Sequence, residues 1–258
     1  DMAPLRGPSG GRAALPVALT TRVTLAGNDV SLADINATIA GSLARGKLEV
    51  GLARPYRLRG EIEADQVDGA SLIGAAIGMP APSGNSGTAS WSSEPFADGA
   101  FGDFTGQIAF KARRLNLLPQ VTAREFRASL RFAKDEFTFD DITGDVAGGR
   151  LTGQTLFRTV NNGLQARAKV SIAGADAASL LSAAARPPIT GSLGFAAEIA
   201  GAGLSPVALI GSLQGTGKIS LNDAQFAGLD PRAFDAVTRA VDQGLPIDAG
   251  RISNVVSK

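Results

Sequence analysis

The feature that most constrains this chain is the alternation of apolar and polar residues with a period of two. From Leu164 to Ile172, the residues Leu164, Ala166, Ala168, Val170 and Ile172 fall on one side, and Gln165, Arg167, Lys169 and Ser171 fall on the other. An extended strand turns successive side chains to opposite faces, so this pattern describes a strand with one apolar and one solvated face. The same reading holds for Phe126, Ala128, Leu130 and Phe132 against Arg127, Ser129, Arg131 and Ala133, and for Leu193, Phe195, Ala197 and Ile199. Turn-forming clusters interrupt the runs: Gly27-Asn28-Asp29, Lys134-Asp135-Glu136, Gly148-Gly149, Asn161-Asn162-Gly163 and Gly215-Thr216-Gly217. Strands joined by such tight turns predict a meander of antiparallel hairpins.

Three stretches switch to helical spacing, and each opens with an aspartate suited to cap a helix: Asp68 to Ile77, Asp176 to Ala185, and Asp230 to Gly244. In the third, Pro231 suits the first helical position, Phe234, Val237 and Val241 form a stripe, and Gly244 suits the closing position. An internal repeat underlies these landmarks. Leu32-Ala-Asp34-Ile35 lines up with Phe139-Asp-Asp141-Ile142 at an offset of 107 (141 minus 34), and Asp68-Gly-Ala-Ser71 with Asp176-Ala-Ala-Ser179 at 108 (176 minus 68). Strand units that recur with a helix attached read as stacked copies of one supersecondary unit.

These signals divide the chain into a disordered lead-in over residues 1–14, a first β-repeat unit over 15–79, and a flexible linker or loop over 80–95. A second unit covers 96–186 and a third, incomplete one 187–258. The lead-in lacks the apolar stretch of a signal peptide or an anchor. The linker is rich in Pro, Gly and Ser and holds the single tryptophan, Trp91, which reads as a loop tip folded back on the sheet or as a membrane-interface or ligand contact.

Composition excludes much chemistry. The 258 residues contain no His and no Cys, which removes the usual general base, thiolate nucleophiles, soft metal ligands, disulfides and Ser/His or Cys/His dyads. A net charge of +1 offers no grip on a phosphate backbone, so nucleic acid is not an expected partner. No run approaches the ~18 consecutive apolar residues of a membrane span. Gly215-Thr-Gly217-Lys218-Ile219 fails as a phosphate loop, because Ser212 and Ile219 stand where Gly and Ser/Thr are required, and reads as a glycine hairpin. Gly201-Ala-Gly203-Leu-Ser-Pro206 puts Pro at the third glycine of a dinucleotide fingerprint, with no helix expected behind it. Glu61, Glu63 and Asp65 alternate with Ile62 and Ala64 and read as the solvated face of a strand; Asp140, Asp141 and Asp145 lie near a turn. Arginines and lysines around Arg54, Lys111 and Arg124 read as a solvated face balanced by those acids, with a stripe for anionic headgroups as the competing reading.

The stretch Ala112-Arg-Arg-Leu115-Asn-Leu117 is followed by Phe126-Arg-Ala-Ser-Leu130, then by Phe137-Thr-Phe-Asp-Asp-Ile142-Thr-Gly144 and Gly148-Gly149-Arg150-Leu151-Thr-Gly153. Gly174-Ala-Asp176, Ile189-Thr-Gly191, Gly201-Ala-Gly203, Leu213-Gln-Gly215-Thr-Gly217-Lys-Ile-Ser-Leu221 and Gly228-Leu229-Asp230 come after them. In this order and spacing they resemble the C-terminal region of the AsmA family, densely from Lys111 onward and more loosely over residues 17 to 79. The resemblance implies a periplasmic protein of the bacterial envelope, anchored in the inner membrane through a segment absent from this chain. It also implies a body similar to bridge-like lipid transfer proteins, whose curled sheet makes an apolar groove for phospholipid moving towards the outer membrane.

The expected fold is therefore mainly β: a long, curved, mostly antiparallel sheet of repeated strand units, with short capping helices after Asp68, Asp176 and Asp230. The expected function is non-enzymatic lipid binding or conduction, without cofactor or metal. The alternative is a structural module that assists outer-membrane protein assembly by contact with envelope proteins. Leu130, Phe132, Phe139, Leu164, Val170, Ile172, Phe195 and Ile199 are the expected lipid-contacting residues. The same residues would equally serve an ordinary core closed by the helices.

Overall fold

The structure is a computed structural model that describes residues 17–39, 42–79, 91–97, 103–118, 120–161, 163–181 and 189–226. Among these residues, eleven strands form a single open, curved sheet whose spatial order is the chain order. They are β1 (Val17–Ala26), β2 (Asp29–Ile39), β3 (Ser42–Gly51), β4 (Tyr56–Asp68), β5 (Phe104–Leu118), β6 (Val121–Ala133), β7 (Glu136–Val146), β8 (Gly149–Val160), β9 (Gly163–Asp176), β10 (Ile189–Gly203) and β11 (Gln214–Phe226). Neighbours are antiparallel except β4 and β5, which run parallel. A parallel pair needs a crossover, and the chain from 69 to 103 supplies it.

The helices form where local chemistry satisfies their first N–H groups. Asp68 accepts the Ser71 N–H at 2.7 Å to open α1 (Gly69–Ala76). Asp176 accepts the Ser179 N–H at 3.1 Å and its hydroxyl at 2.5 Å to open α2 (Ala177–Leu181). Both are the expected caps, at equivalent places of the repeat. The stretch from Asp230 lies outside the described residues, as do residues 1–14 and most of the 80–95 linker.

Two local readings are corrected. A helix does follow β10: α3 (Pro206–Gly211), capped by the Ser205 hydroxyl, which accepts the Ala208 N–H at 3.4 Å, with Pro206 in the first turn. The Gly215–Gly217 stretch is not a hairpin turn but the start of β11. A Cβ at Gly215 would collide with the Glu198 carbonyl oxygen of β10, so the glycine serves close strand approach. The turn itself is the α3 segment.

The core occupies one face of the sheet. Phe110, Phe126, Phe132, Phe137 and Phe139 are all buried there. Phe132 stacks on Phe137 with ring centroids 5.2 Å apart, and Phe137 meets Phe139 edge-on at 4.9 Å. The opposite face carries the charges. Lys111 donates to Glu61 at 2.5 Å across the parallel junction, Arg113 lies 3.5 Å from Asp65, and Arg131 lies 3.5 Å from Asp140. Asp140, Asp141 and Asp145 all lie within β7, Asp145 two residues from the turn at Ala147-Gly148.

Candidate functional site: the apolar face and its strap

In-register pairing carries single rows of side chains across the whole sheet, because directly paired residues share a face. One row runs Val23, Leu32, Leu48, Gly60, Ile108, Leu130, Phe139, Thr155, Ala168, Ile199 and Gly215, one residue from each strand. A second row passes through Leu151, Ile172, Phe195 and Ile219 at its C-terminal side. Neither row contains an ionised residue. The polar exception is Thr155, whose buried hydroxyl has no hydrogen-bond partner among the described residues.

Large side chains cover the glycines of this face. A Cβ at Gly60 would strike the Lys47 carbonyl oxygen and come within 2.6 Å of Leu48 Cδ2, and one at Gly46 within 2.9 Å of Ile62 Cδ1. The neighbouring Leu48 and Ile62 thus lie over their glycine partners. Substitution there would push strands apart.

The middle of the face is filled by protein. The α1 residues Leu72, Ile73 and Ala76, followed by Ile77 and Met79, join the core cluster, as do Phe96 from the 91–97 segment and Leu209 from α3. Residues 91–97 form a strap. Ala97 N–H donates to the Gly78 carbonyl at 2.9 Å, Phe96 N–H to Leu204 at 3.3 Å, and Val207 N–H to Ser92 at 3.0 Å. β5 and β10 are five strands apart in the sheet order, about 24 Å along a flat sheet. The curl brings the end of α1 and the β10–α3 corner within reach of the same seven residues.

Among the described residues, coverage fails towards both flanks. Val23 is 60% exposed and Leu25 66% on β1, and Ile219 is 71% exposed on β11. Of the residues expected to touch lipid, Leu130, Phe132, Phe139 and Leu164 are buried in the filled middle. Val170, Ile172 and Phe195 are half-buried, and Ile199 is exposed. The expectation missed Leu19, Val23, Leu25 and Ile219. Their signal was the same period-two alternation, in Leu19-Thr-Thr-Arg-Val-Thr-Leu25 and Lys218-Ile-Ser-Leu221.

The perturbed ionisable groups lie away from this face. Hydrogen bonding by Lys111, helped by its charge, holds the Glu61 carboxyl below its ordinary range; hydrogen bonds from Ser179 and Ala178 do the same for Asp176. A hydrogen bond to Tyr56 raises Arg54. Among the described residues no three His, Cys, Asp or Glu groups converge to hold a metal ion. No described helix is long and apolar enough to cross a membrane. The arrangement can accept extended hydrocarbon along the open flanks, where each CH2 removed from water contributes about 0.8 kcal/mol.

No curated protein and no solved structure matches the chain. The family model for the AsmA family matches residues 80–233, which run from the crossover through strands β5 to β11. The match covers more than half of the sequence, and the chain therefore belongs to the AsmA family.

Proposed function

We propose that this protein is a non-enzymatic component of envelope biogenesis that binds or conducts lipid along the apolar face of its sheet, in the periplasm, between inner and outer membranes. Membership of the AsmA family supports an envelope-related role. The observation that carries the lipid reading is the uncovered hydrocarbon at the flanks: Val23, Leu25 and Ile219 stay exposed on a face whose rows hold no charge. Leu19, Val23 and Leu25 line one face of β1, and an exposed apolar patch of that kind fits a binding surface better than side chains scattered singly. The cargo class is an acyl lipid, and no cofactor is needed for it.

Native mass spectrometry of protein isolated from bacterial membranes tests this reading. Adducts with the masses of envelope phospholipids are the expected result; protein recovered free of lipid would overturn it. A second reading is favoured by the sheet edges, since β1 and β11 each pair on one side only among the described residues. Such edges accept a strand from another chain, which fits a module that assists outer-membrane protein assembly. A co-purifying protein without lipid would select that reading.

A further inference from the structure

Where the strap meets the β10–α3 corner, five large apolar side chains point into solvent. Trp91 is 52% exposed, Leu204 61%, Val207 46%, Ile210 38% and Leu213 39%. They belong to one place. The Val207 N–H is bonded to the Ser92 carbonyl, which sets Trp91 beside the start of α3. Val207 and Ile210, three residues apart, share the outer side of α3, while Pro206 and Leu209 are buried beneath it. Leu204 and Leu213 flank the helix at its two ends. None of the five is needed to fill the core.

We propose that this corner is a docking surface for a lipid bilayer, into whose interface Trp91 and the outer side of α3 insert. Charge argues for this occupant. Residues 199–217 contain no charged side chain, nor do residues 69–93, and the nearest charges along the chain are Glu94, Glu198 and Lys218. Inserting the corner therefore dehydrates no ionised group belonging to these runs. An indole with an apolar body and one N–H suits the headgroup level of a membrane. Size argues against another protein: the five side chains expose a few hundred Å2, short of the roughly 800 Å2 per partner in a stable protein interface. At six residues, α3 is too short to span and inserts only shallowly. The corner sits at one end of the apolar face, where β10 finishes.

Trp91 is the chain's single tryptophan, so its emission reports this surface alone. Titration with phosphatidylcholine vesicles is expected to move the emission to shorter wavelength, with quenching by lipids brominated near the headgroup and persistence in high salt. Val207→Asp and Ile210→Asp should each weaken vesicle binding about tenfold or more, while the strand-dominated circular dichroism spectrum stays unchanged. Emission that does not move at excess vesicle would overturn the proposal. So would binding that needs anionic lipid and disappears in salt, or an emission shift that instead follows protein concentration without lipid, which would mark a second copy of the chain. Lipid found in the native mass spectrum together with a silent Trp91 would remove this docking surface and leave the groove reading standing.

Discussion

Asp34 and Asp141, 107 residues apart, hold the same left-handed backbone conformation, with φ of 54° and 53°. Each sits at a bulge where two residues of its strand face one of the next. β2 skips from Leu32 to Ile35 against Leu48 and Gly46, and β7 skips from Phe139 to Ile142 against Thr155 and Gly153. Asp223, with φ 52°, occupies a third such bulge between β10 and β11. The extra residue lets apolar residues three apart, Leu32 and Ile35 or Phe139 and Ile142, face the same side. It also bends the strand and increases its twist, which helps a long sheet to curl.

The left-handed region costs a residue with a Cβ, and short polar side chains tolerate it best. Asp141→Val is accordingly expected to destabilise the protein by about 1–2 kcal/mol, whereas Asp141→Gly should be neutral or stabilising. Urea denaturation of both variants checks this. Equal stability of the Val and Gly forms would remove the backbone account of the repeat.

That repeat was legible as an aligned pair of aspartates, but its geometry was not, because a bulge breaks the alternation that identifies a strand. Alternation did reveal the apolar face, since one side of each strand must leave water, and Asp68 and Asp176 announced their helices by a cap three residues ahead of Ser71 and Ser179. Long-range placement left no local mark. The parallel pairing of Tyr56 with Phe104 depends on where the crossover returns, and the bond from Val207 to Ser92 depends on the curl of the sheet. For the same reason Leu130 and Ile219 look alike in sequence, although one is 6% exposed and the other 71%. The Ser205-Pro206 pair was a readable start signal for α3, hidden among the glycines of Gly201 and Gly203.

The contrast between middle and flank is measurable as stability. Phe132, stacked on Phe137 and 3% exposed, leaves a cavity when shortened, and Phe132→Ala should cost about 3–5 kcal/mol. Ile219→Ala, on the open flank, should change stability by no more than about 0.5 kcal/mol. A large loss for Ile219→Ala would mean that the flank is a covered core and would argue against the groove.

Acid should loosen α2 locally. The Asp176 carboxyl is held below its ordinary 3.8 by hydrogen bonds from Ser179 and Ala178. A depressed folded-state value means that the cap's contribution is present above the unfolded value and is lost as pH falls through the folded one. The Ser179 amide resonance is therefore expected to titrate with a midpoint below 3.8, and Asp176→Asn should keep the cap while abolishing that step. A midpoint at or above 3.8 would contradict the capping geometry.

The central claim is that the open flank of the apolar face holds lipid, and adjacent residues of β11 test it most directly. Ile219 pairs with Phe195 on the apolar face, and Lys218 pairs with Ala196 on the opposite one. With a photo-crosslinking residue placed at each position in turn, in cells, we expect lipid adducts at Ile219 and none at Lys218. Equal labelling at the two positions, or no lipid at Ile219 in a folded protein, would contradict the account.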